Sequence, residues 1–249
     1  MLKAGRLTPD KWGAVAPIHS PPVGSGPYFF RNTESVTVEW RTDQDAVLDI
    51  LPPDLGLDGP ATAFLVLERN HWSAFGSFGE LFTGVQCIWN GQPCSYLVAG
   101  YSTSELAQIV NREIWGFGQK RAQRIELIGH DDGAVEAVMD VRPDDQAVRA
   151  VMRPAKNEVA EAAGEVPMIF LRIVPDVAGG PPVLTQLVAL EYTNHPIVGS
   201  DGVAEDYVGS GSLQFGSASD AALPIEELLS FRYNRVDTEL QRGRVLKTY

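Results

Sequence analysis

Apolar and polar positions alternate along much of the chain with the period of β-strands. Between residues 35 and 40, Val36, Val38 and Trp40 share one face and polar residues occupy the other, as in a half-buried strand. Similar runs predict strands at 62–67, 82–89, 96–101, 124–128, 134–141, 147–152, 168–174, 183–190 and 211–215. Short strands separated by glycine and polar turns favour a mainly β, antiparallel sheet, and closure into a barrel would remove its exposed edges.

Two short helices interrupt this pattern. Residues 43–51 form an amphipathic stretch closed by two prolines, and Ser102 and Glu105 have the spacing of a capping box before a second apolar-periodic stretch. The Asp132-Gly133 turn predicts a hairpin between its flanking strands. Residues 225–249 fit neither period, so strand and helix both remain open there.

The domain organisation follows from the proline and glycine content. Residues 1–30 carry four prolines after position 16, which predicts an extended N-terminal arm. We find no internal repeat and no long linker in residues 31–249, which predicts a single β-barrel domain.

Composition and charge narrow the classes of partner. The chain has 249 residues, of which 44% are hydrophobic and 21% charged, and a formal net charge of -12. This is a globular composition, and its negative charge disfavours nucleic acid and anionic membranes. No apolar run approaches the roughly 18 residues of a membrane span, and the N-terminus does not resemble a secretion signal. We therefore expect a cytoplasmic protein that binds a small-molecule substrate or copies of itself.

Metal and phosphate motifs are not recognisable. The four histidines are dispersed, and Cys87 and Cys94 flank a predicted turn, where two unused thiols in a reducing compartment are the simplest interpretation. We predict no metal site.

The segment from Asn111 to Lys120 carries the most chemical information. It reads Asn-Arg-Glu-Ile-Trp-Gly-Phe-Gly-Gln-Lys and resembles the active-site segment of the acetoacetate decarboxylase superfamily, which reads roughly Gly-Arg-Glu, three apolar residues, Pro-Lys-Lys. Further similar blocks occur in the family's order: Gly26-Pro27-Tyr28, Trp40-Arg41-Thr42-Asp43, Phe78-Gly79-Glu80, Trp89-Asn90-Gly91, and Met168 to Pro175. The resemblance covers nearly the whole chain.

The resemblance implies a cone-shaped antiparallel β-barrel around an apolar pocket, assembled as a homo-oligomer and requiring no metal or organic cofactor. In the family, the first lysine of the motif forms a Schiff base with a ketone, because desolvation and a neighbouring cation keep its amine neutral. Here that position holds Gln119, whose amide nitrogen is not a nucleophile. Lys120 keeps the neighbouring charge, but adjacent residues of an extended segment point to opposite faces unless the backbone bulges.

Three further positions are candidates for substrate contact or catalysis. Thr33 stands where the resemblance places an arginine that receives the substrate carboxylate, and Arg31 would have to turn inward to compensate. Glu80 matches the family's active-site glutamate and is a candidate general acid or base. Gln119 could polarise a carbonyl in a dry pocket. Four aromatic residues are candidates for the pocket wall: Phe78, Phe82, Trp115 and Phe117.

Three functional hypotheses follow from these residues. The first is a cofactor-free enzyme that cyclises, dehydrates or isomerises a larger apolar, enolisable or polyene substrate, such as a secondary metabolite, using Glu80 and Gln119. The second is a Schiff-base aldolase-dehydratase or decarboxylase that uses Lys120. The third is a non-catalytic barrel that sequesters an apolar ligand.

Overall fold

A computed structural model describes residues 3–17, 19–20, 24–143, 145–159, 165–217, 219 and 223–249. Its fifteen strands are β1 (Tyr28–Arg41), β2 (Leu55–Gly56), β3 (Thr62–Ser73), β4 (Phe78–Trp89), β5 (Gln92–Ser102), β6 (Gln119–Arg121), β7 (Arg124–Gly129), β8 (Val135–Arg142), β9 (Asp145–Val159), β10 (Met168–Val174), β11 (Leu184–Leu190), β12 (Tyr192–Pro196), β13 (Asp206–Phe215), β14 (Glu227–Leu240) and β15 (Arg244–Thr248). Two short α-helices are α1 (Gln44–Leu48) and α2 (Glu105–Val110), and a 3-10 turn spans Pro9–Lys11.

The fifteen strands belong to one sheet. The prediction of a mainly β fold is confirmed. Its main path runs β15-β11-β10-β5-β4-β3-β1-β14-β13-β9-β8-β7, with β2, β6 and β12 attached to β4, β5 and β14. Two details correct the prediction of an antiparallel barrel. The described strands leave the sheet unclosed, with β15 and β7 at its two ends, and β5 pairs in parallel with both β10 and β6.

The hydrophobic core lies on one face of this sheet. Val36, Val38 and Trp40 of β1 are fully buried there, as their alternation predicted. Strand β7 packs across this core against β3 and β4. At Gly79 a Cβ atom would come within 2.5 Å of the Ile125 carbonyl oxygen, so only glycine allows this approach. The opposite face of β1, β3 and β4 is therefore left to line a cavity.

Most predicted elements are present, and several are longer than predicted. The Asp132-Gly133 turn joins β7 and β8, whereas the ambiguous C-terminal segment forms two strands, β14 and β15. The N-cap of helix α2 is Ser104, whose hydroxyl accepts a hydrogen bond from the Ala107 amide at 3.3 Å. The predicted cap, Ser102, therefore lies before the helix. Residues 1–2, 18 and 21–23 of the predicted arm lie outside the described residues.

The two cysteines face each other across the β4–β5 hairpin. Their Sγ atoms are 3.3 Å apart, and both are buried, free thiols. Among the described helices, none is long and apolar enough to cross a bilayer.

Candidate active site

A cavity of about 720 Å³ opens on the sheet face opposite the core. Its base is formed where β3 and β4 meet the segment after α2, and the aromatic side chains predicted for the wall all line it: Phe78, Phe82, Trp115 and Phe117. The Phe117 and Phe170 ring centroids are 5.2 Å apart. The cavity has the volume of a site for a drug-sized molecule.

The segment after α2 brings Gln119 against Glu80 and Asn111, which line the cavity, although Gln119 itself does not line it as predicted. A π-helical turn over Asn111–Trp115 ends at Gly116, which has φ 85°. The chain then enters β6, where Gln119 pairs with Gly100 of β5. A Cβ atom at Gly100 would lie 2.4 Å from the Phe117 ring and 3.1 Å from Gln119 Cγ, so this glycine makes room for both side chains.

Gly116 offers a direct test of this local geometry. A Cβ atom there would lie 2.3 Å from Arg172 Cα, in addition to the positive φ. We expect Gly116→Ala to lower the free energy of unfolding by about 3 kcal/mol, because a backbone clash adds to the cost of a left-handed conformation. Gly118→Ala is the matched control, since a Cβ atom there meets nothing within 4 Å. Urea unfolding curves measure both, and equal stabilities of the two variants would contradict the described turn.

Glu80 is held by two amides. Its Oε1 accepts a short hydrogen bond from Gln119 Nε2 and a second from Asn111 Nδ2 at 3.3 Å. Asn111 also donates to Gln119 Oε1 at 2.9 Å. The Gln119 oxygen and one of its amide hydrogens are thus engaged within the protein, and the Gln119 side chain supports Glu80 from behind.

A second carboxyl group, Glu68, stands beside Glu80. The two are direct cross-strand partners on β3 and β4, and both line the cavity. Burial, and to a smaller extent repulsion from Glu68, together raise the pKa of Glu80 to about 8. Burial also raises the pKa of Glu68 to about 7, which a hydrogen bond from Asn70 partly offsets. Two carboxyl groups this close resist simultaneous ionisation, so they hold one proton between them near neutral pH.

Thr33 acts on this pair through Asn70. The Thr33 hydroxyl donates to Asn70 Oδ1 at 2.7 Å, and Asn70 Nδ2 donates to Glu68 Oε1 at 2.9 Å. Thr33 and Asn70 are 3% and 1% exposed, so the hydrogen bonds from Thr33 through Asn70 to Glu68 are shielded from solvent. Thr33 lines the cavity as predicted, but its hydroxyl hydrogen is committed to orienting the Asn70 amide.

For Arg31 and Lys120 the structure corrects the expectation of a pocket position. Arg31 is exposed, donates to Asp237 at 2.9 Å and lies over the Phe29 ring. Lys120 is exposed, with Nζ 5.9 Å from the Tyr101 ring centroid. Neither lines the cavity. The physical reason is the strand period: Gln119 faces inward, so its neighbour on regular β6 faces outward.

Sequence reasoning missed Glu68, Asn70 and Asn111. The predicted third strand stopped at residue 67, whereas β3 continues to Ser73. Extending the two-residue alternation from Phe64 and Val66 would have placed Glu68 and Asn70 on the same face as these cavity residues. No local pattern pointed to Asn111, because its role depends on a π-helical turn.

Comparisons with known proteins agree with this architecture. A family model described as acetoacetate decarboxylase matches residues 15–249. The acetoacetate decarboxylase of Chromobacterium violaceum is 28% identical over 239 residues, which cover 94% of each chain.

Solved structures give the same result. The crystal structure of acetoacetate decarboxylase from Legionella pneumophila superposes with a TM-score of 0.82 at 25% identity, covering 100% of this chain and 99% of the other. The enduracididine biosynthesis enzyme MppR, complexed with pyruvate, superposes with a TM-score of 0.75 at 21% identity, covering 98% of this chain and 99% of the other. That second similarity concerns the fold alone.

Proposed function

Because the chain belongs to the acetoacetate decarboxylase family yet carries Gln119 where the motif places the Schiff-base lysine, we propose that it is a lyase- or isomerase-type enzyme working by acid–base catalysis. Its proposed reaction moves a proton at the carbon next to a carbonyl group in a large, uncharged and mainly apolar substrate. For an enolisable carbonyl compound, isomerisation, dehydration of a β-hydroxyl group and aldol-type cyclisation all begin with such a step. The proposal rests above all on the paired Glu68 and Glu80 at the base of the cavity.

The hydrogen bonds indicate which oxygen of Glu80 carries its proton, and the stronger effect of burial and repulsion on its pKa suggests a role for each carboxyl group. Glu80 Oε1 accepts from two amides, so its proton belongs on Oε2. With a pKa of about 8, Glu80 is the acid. Glu68, with a pKa of about 7, is the base. Glu68 takes the proton from the α-carbon, the electron pair of that C–H bond forms the enol double bond, and Glu80 gives its proton to the carbonyl oxygen.

The remaining polar residues of the site are positioning residues in this proposal. Asn70 and Thr33 orient Glu68, while Asn111 and Gln119 orient Glu80. In this proposal Gln119 does not polarise the substrate carbonyl, as the sequence suggested, because its side chain is hydrogen-bonded to Glu80 and Asn111. Charge also disfavours an anionic substrate, because Arg232 is the one cation among the described lining residues and it is paired with Asp206.

The test uses deuterium exchange into a simple neutral ketone, 4-phenylbutan-2-one, followed by NMR in D₂O. The reactive state has Glu68 ionised and Glu80 protonated. The enzyme-dependent rate should therefore be bell-shaped in pH, greatest between about 7 and about 8. It should fall below this range as Glu68 gains a proton and above it as Glu80 loses one. No exchange above the buffer rate at any pH would contradict the proposal and favour a ligand-binding barrel.

A further inference from the structure

One wall of the cavity, on β1 and β14, is mainly polar, with Phe30, Val236 and Leu240 as its apolar members. Six residues of β1 and β14 form this polar wall: Thr33, Ser35, Thr37, Arg232, Asn234 and Thr238. Their strands are paired so that Thr37 lies opposite Arg232 and Ser35 opposite Asn234. Side chains two residues apart on a strand share a face, so Thr33, Ser35 and Thr37 recur about every 7 Å along β1, and Arg232 and Asn234 have the same spacing on β14.

The adjoining wall carries apolar side chains on β3 and β4, and β3 pairs directly with β1, so that Val66 is the cross-strand partner of Thr37. Phe64 and Val66 of β3 and Phe82 of β4 line it. A ligand that fills the cavity therefore meets hydrogen-bonding groups along one edge and hydrocarbon along the other. A plain hydrocarbon chain would displace water from the polar wall without replacing its hydrogen bonds, which costs free energy.

Two donors of the polar wall, on Thr37 and Asn234, are available to a ligand. The Thr37 hydroxyl makes no hydrogen bond with another described residue, and Asn234 uses its Oδ1 to accept from Ser35, leaving its amide nitrogen without a described partner. By contrast, Glu39 at the end of the wall already accepts from Gln86 and Ser230, each at 2.7 Å. Arg232 is paired with Asp206, so the donors that remain available are uncharged groups, which match the oxygen atoms of an uncharged molecule.

We infer that the substrate is an elongated, uncharged carbonyl compound with hydroxyl or carbonyl oxygens along one edge, bound against the polar wall. This inference rests on the proposed function for the placement of the reacting carbonyl at Glu68 and Glu80. The spacing of about 7 Å between successive wall positions suits oxygens carried on rings better than oxygens on adjacent carbons. An oxygenated aryl ketone satisfies both walls.

Two matched ketones test this, dihydrochalcone and its 4,2′,4′,6′-tetrahydroxy derivative phloretin, by calorimetric titration at pH 6. Phloretin is the less hydrophobic of the pair, so an apolar cavity would prefer dihydrochalcone. We expect phloretin to bind at least about tenfold more tightly. Equal affinities, tighter binding of dihydrochalcone, or no binding of either would overturn the inference.

Variants locate the effect on the polar wall. Thr37→Val should weaken phloretin binding about fivefold and leave dihydrochalcone binding unchanged, because one hydrogen bond is lost without a change of shape. Asn234→Leu should act in the same direction. Thr193→Val is the control, since Thr193 is exposed on β12 and does not line the cavity. Unchanged phloretin binding in Thr37→Val, with its melting temperature preserved, would contradict the assignment.

The outcome can be separated from that of the proposed function. Selective phloretin binding without α-proton exchange of 4-phenylbutan-2-one would retain the polar wall as a ligand site and reject the acid–base enzyme. Exchange of that ketone without selectivity for phloretin would retain the enzyme and reject the oxygenated substrate.

Discussion

Replacing Glu80 by glutamine should slow α-proton exchange of 4-phenylbutan-2-one by a factor of about 100 to 10,000, the usual range for loss of a general acid or base. Glutamine has nearly the shape of glutamic acid, and its amide oxygen can still accept from Gln119 and Asn111. It cannot give a proton to a carbonyl oxygen. The variant should therefore lose chemistry while it keeps its fold.

Two controls give the Glu80→Gln result its meaning. Binding of dihydrochalcone should change by less than about threefold, because the cavity keeps its shape and apolar walls. Glu126→Gln changes an exposed carboxylate of β7 and should exchange the ketone at the wild-type rate. If Glu80→Gln retained more than a tenth of the wild-type rate, the carboxyl pair would not be the acid–base group.

Replacing Gln119 by lysine should create Schiff-base reactivity that the wild-type protein lacks. The introduced side chain would project from β6 toward Glu80, which holds the present amide and lines the cavity, and its greater length would carry the amine into the cavity. Burial lowers the pKa of an amine, and near neutral pH Glu80 is mostly protonated, so it offers little charge to keep the amine protonated. A free amine then meets a bound ketone.

Borohydride trapping measures this gain. Gln119→Lys, incubated with 4-phenylbutan-2-one and reduced, should show a single adduct in the intact mass, mapped by peptide sequencing to position 119. Gln119→Met is the control for disturbance of the site and should show none. Absence of an adduct in a folded Gln119→Lys variant would mean that this position does not face the cavity closely enough for covalent chemistry.

The strand pattern and the family resemblance together predicted most of the fold. Alternation identified Val36, Val38 and Trp40 as core residues, and all three are fully buried. It did not predict the open sheet path or the parallel β5–β6 and β5–β10 pairs. Those depend on pairings between strands far apart in sequence, which no local period records.

The site was predictable only in part, because its residues also come from strands that are far apart in sequence. Glu80 and the aromatic wall were identified from the motif positions, and they lie together around the cavity. Glu68 was missed because the predicted strand ended one residue too soon. The role of Gln119 as a support for Glu80 could not be read from sequence, because it depends on the side-chain contact between β4 and β6.

The most direct test of acid–base catalysis without a Schiff base is a single experiment on the wild-type protein. Exchange of 4-phenylbutan-2-one is followed by NMR at pH 7.5 with cyanoborohydride present during turnover, because this reagent reduces an iminium ion but not the free ketone at this pH, and the intact mass is then recorded. We predict continued exchange on an unmodified protein. Loss of exchange together with a ketone adduct on Lys120 or any other lysine would contradict the account.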